Sequence, residues 1–128
     1  MSADDGVCLI RGDRGEAVRI LLDRLADKWA LLVIAALHRQ RLRFTTLHRR
    51  VPGISQRMLT LTLRGLERDG MVVRTAHAEV PPRVEYELSD LATTLLPHAL
   101  GLAGWAVEHR ADIEASREAY DERRTGPA

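Results

Sequence analysis

Apolar positions along the chain change their spacing at Gly70. Before that residue they recur at intervals of three and four; after it they alternate for some twenty residues. Val18, Leu21, Leu22 and Leu25 predict an amphipathic helix over residues 16–27. A second helix, over 28–40, carries Trp29, Leu32, Val33, Ala36 and Leu37 on a face broad enough to place it at the centre of a core. A third, short helix over 43–50 turns Phe44 and Leu47 inward and Arg43, Arg49 and Arg50 outward. Pro52-Gly53 is a turn signal, and Ser55 is a good N-cap for a fourth helix. In that helix Leu59, Leu63 and Leu66 form one stripe, while Arg57, Thr60, Arg64 and Arg68 recur on another face. Gly70 is its natural stop.

The alternating stretch predicts two strands, 71–79 and 83–89. Val84, Tyr86 and Leu88 share one face of the second, and Arg83, Glu85 and Glu87 the other. Val80-Pro81-Pro82 makes the tip, where a missing amide disturbs no ladder. Two short helices joined by a tight turn and followed by a hairpin make a winged helix-turn-helix, so the fold expected is mainly α with a small β-hairpin. The wing spans about 71–89 and the recognition helix about 55–68. Ser89 can cap a last long segment, in which Pro97 is expected to kink the helix or split it in two. Past Glu108 that segment is highly charged, with Ile113 and Tyr120 seven residues apart as its apolar stripe. Such a helix has little to bury alone, and pairing with a second subunit is its expected use. Residues 1–13 read as a loose arm, 14–106 as the winged domain and 107–128 as a charged helical extension serving dimerisation.

Charge sharpens this picture. The chain as a whole carries +1, but residues 39–68 hold eight arginines against the single Glu67, which is +7 locally and leaves −6 for the remainder. A basic block in an otherwise acidic chain is the footprint of a nucleic-acid face. Arg forks onto guanine or phosphate, Gln onto adenine, and a Thr methyl touches thymine. By that chemistry Gln56, Arg57, Thr60 and Arg64 suit a major groove; the competing account of this helix alone is a surface helix with solvated arginines. The chain's only lysine is Lys28 among 18 arginines, so genome composition also contributes to the preference for Arg. Arg83, beside the hairpin tip, is placed to reach a phosphate or the minor groove, or else is a solvated hairpin residue.

Other classes fit less well. No glycine-rich phosphate loop or metal-binding histidine pair occurs, and His38, His48, His77, His98 and His109 are scattered. Enzymatic activity, a metal and a cofactor are therefore not expected. A winged helix used for protein contact would expose aromatic or aliphatic residues where this one has Arg, Gln and Thr. Trp29, Tyr86 and Trp105 either line a pocket for a small effector or fill the core, the commoner outcome. No run of about 20 apolar residues and no basic signal start is present, so a cytoplasmic protein without a membrane span is expected. The one cysteine, Cys8, has Asp4 and Asp5 nearby and only Arg11 to lower its pKa; an incidental thiol is favoured over a redox sensor.

With the elements placed, the chain resembles the HxlR-type regulators of transcription, winged-helix proteins of the MarR-like group. The likeness is carried by Lys28-Trp29, Arg43-Phe44, the run from Ile54 to Leu59, Leu63-Arg64, Leu66-Glu67 and Asp69-Gly70. It continues through Pro81-Pro82-Arg83-Val84, Tyr86 and Leu88, spanning about residues 17–106. The resemblance implies a homodimer held by its N- and C-terminal helices, setting two recognition helices in successive major grooves of an inverted repeat in double-stranded DNA. It implies Ser55, Gln56, Arg57, Thr60 and Arg64 as DNA contacts, with Arg43 and Arg83 at the backbone; Arg49, outward on the third helix, joins the candidate DNA-binding residues. Some relatives sense oxidants through an N-terminal cysteine, although Cys8 lies one to two turns farther from Trp29 than theirs. Departures occur at Asp27, at Gln40-Arg41-Leu42 and at Ala92, where the family commonly has glycine; they touch helix ends and loops rather than the reading face.

Overall fold

A computed structural model describes residues 11–126. In chain order it contains α1 (Gly12–Leu25), α2 (Lys28–Ala36), the two-residue strand β1 (Leu42–Arg43), α3 (Phe44–Arg50) and α4 (Gln56–Arg68). Strands β2 (Val72–His77) and β3 (Arg83–Leu88) and the long helix α5 (Asp90–Thr125) complete it. α3, its turn and α4 are the helix-turn-helix, and β2 with β3 is the wing.

Arg43 does not open a helix as its spacing suggested. It caps α3 in extended conformation and pairs with Glu85, so the wing is the far part of a three-stranded antiparallel sheet ordered β1-β3-β2. Leu42 is buried and pairs with Tyr86, and burying it holds that piece of backbone extended. A two-residue strand is too short to register as alternation.

The core is three helices deep. Ala30, Val33 and Ile34 of α2 lie buried with Leu59, Leu63 and Leu66 of α4 and with Ala92, Leu96 and Ala99 of α5. Leu47, Val51 and Ile54 close the helix-turn-helix over them. Among the described residues no polar or charged side chain is buried, so hydrophobic contact holds this interior together.

α2 ends four residues earlier than expected. Arg39 adopts φ 55°, a left-handed conformation that stops a helix, and the Gln40 side chain donates to the freed Ala36 carbonyl (3.2 Å). No glycine marks this stop, which is why periodicity overran it. α5, in contrast, runs through Pro97 as one helix rather than splitting. Pro97 and Thr93, whose carbonyl loses its i+4 amide, are both exposed, so water can satisfy that carbonyl. The helix also continues without a break past residue 106. α1 starts at Gly12, four residues before the expected position, and buries nothing; Val18 and Leu25 are half-buried, while Ile20, Leu21 and Leu22 are each more than half exposed.

Candidate nucleic-acid interface

The recognition helix α4 is fixed at both ends by its own sequence. At the start, Ser55 Oγ accepts from the Met58 amide (3.0 Å), the N-cap bond its position predicted. At the end, Met71 N–H donates to the Leu66 carbonyl (2.8 Å) and Gly70 N–H to that of Glu67 (3.1 Å). That pair of bonds around Gly70 (φ 78°) is a Schellman motif, with Leu66 and Met71 both in the core. Ser89 Oγ then donates to the Gly70 carbonyl (2.5 Å) while accepting from the Ala92 amide (3.1 Å). One hydroxyl thereby ties the start of α5 to the end of α4.

The turn between α3 and α4 is equally constrained. Gly53 sits at φ 87°, where a side chain would be strained, and a Cβ there would lie 3.8 Å from Cη2 at the edge of the Trp29 ring. A ring nitrogen of His48, Nε2, donates to the Ile54 carbonyl (2.8 Å). Trp29 is therefore a half-buried anchor beneath the helix-turn-helix, with Lys28 Nζ 4.9 Å from its ring centre.

With Leu59, Leu63 and Leu66 inward, α4 presents exposed Gln56, Arg57 and Arg64 and half-exposed Thr60. Thr60 Oγ1 donates to the Gln56 carbonyl (2.9 Å), which commits its proton to the helix. Gln56 shares a hollow with Arg49, Phe44, Thr45 and His48 along the α3 edge. Arg64 and Thr60 share another with Tyr86 and Arg74 along the wing edge. Arg68 parts from this set and faces α1, lining a hollow with Asp23, Arg24 and Asp27. Arg43 is exposed at the cap of α3.

Ion pairing sorts the arginines into two groups. Arg24 is held by Asp69 (3.0 Å), Arg41 by Glu87 (2.8 Å) and Arg110 by Glu114 (2.9 Å). Arg83 lies 3.3 Å from Glu79 and 3.4 Å from Glu85, whose same oxygen is 2.7 Å from His77 Nε2. Neither Arg83 Nε nor His77 Nε2 makes an aligned hydrogen bond, so Arg83 meets these carboxylates by ionic contact rather than directed bonding. Among the described residues the other arginines have no carboxylate partner, including Arg43, Arg49, Arg57, Arg64 and Arg74, and also Arg39, Arg50 and Arg68 of the basic block. Guanidinium groups free of carboxylates are those ready for phosphate or base edges. Arg74 was missed in the sequence; its signal was the alternation itself, which sets it opposite Tyr86 across the β2–β3 ladder.

The three aromatic residues considered for an effector pocket do not meet in one. Trp29 and Tyr86 pack against the core from different elements, and the hollow lined by Tyr86 contains neither tryptophan. Trp105 is 51% exposed and stacks on His109 with ring centres 4.6 Å apart. Helical spacing alone could not show that α5 carries Trp105 beyond the part of it that packs on α2. Cys8 lies outside the described residues. Among the described residues no helix is long and apolar enough to cross a membrane.

Comparison with known proteins agrees with this architecture. Residues 24–114 match the model of the HxlR-like helix-turn-helix family. An HTH-type transcriptional regulator of Methanothermobacter thermautotrophicus is 39% identical over 102 residues, covering 80% of this chain and 78% of that one. The HTH-type transcriptional regulator YdeP of Bacillus subtilis is 39% identical over 110 residues, covering 84% and 86%. Among solved structures, the transcriptional regulator ytfH from Salmonella typhimurium superposes with a TM-score of 0.73 at 34% identity, over 79% of this chain and 90% of that one. The redox regulator HypR in its reduced form superposes at 0.70 with 38% identity, over 77% and 98%. An exposed edge of unpaired arginines on a capped second helix, a wing beside it and these relatives lead to one conclusion: the chain belongs to the HxlR-like helix-turn-helix family, DNA-binding regulators of transcription in the MarR-like group.

Proposed function

We propose that the protein binds an inverted-repeat operator as a homodimer, each α4 entering a major groove with Gln56, Arg57 and Thr60 at the bases and Arg64 beside them at the wing edge. The observation that carries this is the exposure of Gln56, Arg57 and Arg64 on a helix capped at both ends, with Arg57 and Arg64 free of carboxylate partners. Ser55 serves chiefly by capping that helix. Arg49 borders the same edge and Arg43 is exposed at the cap of α3; both suit backbone phosphates. Arg83 must exchange Glu79 and Glu85 for a phosphate, so its contribution is the smaller. Support for the dimer comes from the exposed apolar residues of α1 and of α5 beyond Ala99, which a lone chain leaves in water. Such a regulator acts in the cytoplasm, where its DNA is.

Anisotropy titration against the promoter region beside the protein's own gene tests this at two salt concentrations. Specific binding should weaken by about 1–3 kcal/mol in Arg57→Ala, while binding to random DNA changes little. Equal loss on both DNAs, with a smaller salt slope, assigns the residue to phosphate instead.

A second reading, that oxidants control binding through Cys8, is favoured by the likeness to the redox regulator HypR. Diamide should then abolish operator binding in the native chain and leave Cys8→Ser unaffected. Equal binding with and without diamide makes Cys8 incidental.

A further inference from the structure

Between α4 and the wing lies a hollow of about 320 Å³ lined by Thr60, Leu63, Arg64, Glu67, Arg74 and Tyr86. Arg74 and Tyr86 are direct partners across the β2–β3 ladder, so their side chains stand on one face of the sheet, the face that α4 covers. Leu63 is a buried floor, and the Thr60 hydroxyl proton is already given to the Gln56 carbonyl. The remaining donors are the guanidinium groups of Arg64 and Arg74 and the Tyr86 hydroxyl. Among the described residues neither arginine has an ion-pair partner and the Tyr86 hydroxyl makes no hydrogen bond.

We propose that this hollow seats one phosphodiester of the DNA backbone, gripped jointly by Arg64 and Arg74 with the Tyr86 hydroxyl as third donor. Two guanidinium charges against the Glu67 carboxylate leave the seat at +1, which matches the single charge of a phosphodiester better than the two of a phosphate monoester. Three donors from a helix and two strands hold a phosphate in a fixed place, and so would fix how deeply α4 sits in its groove. Tyr86 thereby changes from a candidate effector residue to a ligand of DNA, and Arg74 becomes a contact that the helix-turn-helix pattern does not contain. The assignment rests on α4 being the helix that enters the groove.

The test uses the full chain in anisotropy titrations with the promoter fragment and with a random duplex of equal length, across a salt series. Arg74→Ala should weaken both by about tenfold and lower the slope of log K against log salt by about one, as one lost phosphate contact requires. Arg74→Lys, which keeps the charge, should restore the slope. Tyr86→Phe keeps the ring packing and should cost about threefold at unchanged slope, the loss of one hydrogen bond. Thermal melts matching the native chain show that these variants fold. An unchanged affinity and slope in Arg74→Ala overturns the seat, as does a loss confined to the promoter fragment, which would make Arg74 a base reader. Saturable binding of inorganic phosphate or a nucleoside monophosphate in the absence of DNA, lost in Arg74→Ala, would also overturn it in favour of a free anion. Should Arg57→Ala and Arg64→Ala both leave DNA binding unchanged while Arg74→Ala weakens it, the groove assignment of α4 fails and the seat with it; the reverse pattern removes the seat alone.

Discussion

The interior of this protein and its two flanking helices use the same kind of residue to different ends. Every buried residue described lies between Ala30 and Ala99. There α2, α4 and the first three turns of α5 close on one another around a shared core, although Leu32, Met58, Leu61 and Leu91 remain partly exposed. α1 buries nothing, yet exposes Ile20, Leu21 and Leu22. α5 runs on from Ala99 to Thr125, about 39 Å at 1.5 Å per residue, without another buried side chain, exposing Leu102, Trp105 and Val107. A helix in water gains most of its stability by burying an apolar face. The interior is complete within one chain, whereas the flanks require something else to cover them, and a second copy is the occupant proposed above. The family match ends at residue 114, within this exposed part of α5.

That contrast is open to attack. The largest effect should come from the interior: Leu59→Ala, at a fully buried position, should cost about 2–5 kcal/mol in urea unfolding, because the cavity cannot collapse among three packed helices. A loss below 1 kcal/mol would mean that the interior is looser than its burial indicates. Next come the flanks. Leu102→Glu should leave helix content in place but weaken self-association by at least about tenfold in sedimentation, by placing a charge in an apolar contact. Native-like association in that variant would remove the outer part of α5 from the dimer contact. The smallest effect should come from the tie between the two regions, Arg24 on α1 with Asp69 at the end of α4. Arg24 is half exposed, so a double-mutant cycle with alanine at both positions should return about 0.2–1 kcal/mol and shrink in high salt. A coupling well above that range would make α1 part of the interior's own stability.

Much of the fold was legible in order and type. The 3.6-residue spacing of Leu59, Leu63 and Leu66 yielded α4 because that face is buried along the helix, and the alternation around Tyr86 yielded β3, whose Tyr86 and Leu88 pack half-buried against the core. The ends of α4 were legible because Ser55 and Gly70 act through local hydrogen bonds. Arg39 was not: an arginine held at φ 55° is imposed by its surroundings, and nothing in its residue type announces it. The two-residue strand at Leu42 was hidden for a related reason, since only its partner β3 makes it a strand. In the candidate site, the outward face of α4 could be read directly. Availability of the arginines could not, because the carboxylates that engage Arg41 and Arg83 sit on β3 or at the wing tip.

By itself, then, the sequence determined what depends on neighbours along the chain: the helix-turn-helix and hairpin order, the capped recognition helix, the local block of positive charge and the family those residues signal. Tertiary structure decided what depends on residues far apart in sequence. It parted Trp105 from Trp29 and Tyr86, engaged Arg83 while leaving Arg64 and Arg74 free, and set Arg74 beside Tyr86 and Arg64 at one hollow. Periodicity and capping act within a few residues, through backbone geometry that each residue type biases. Which charges meet, and which remain for a ligand, is fixed only when strands and helices distant along the chain pack together.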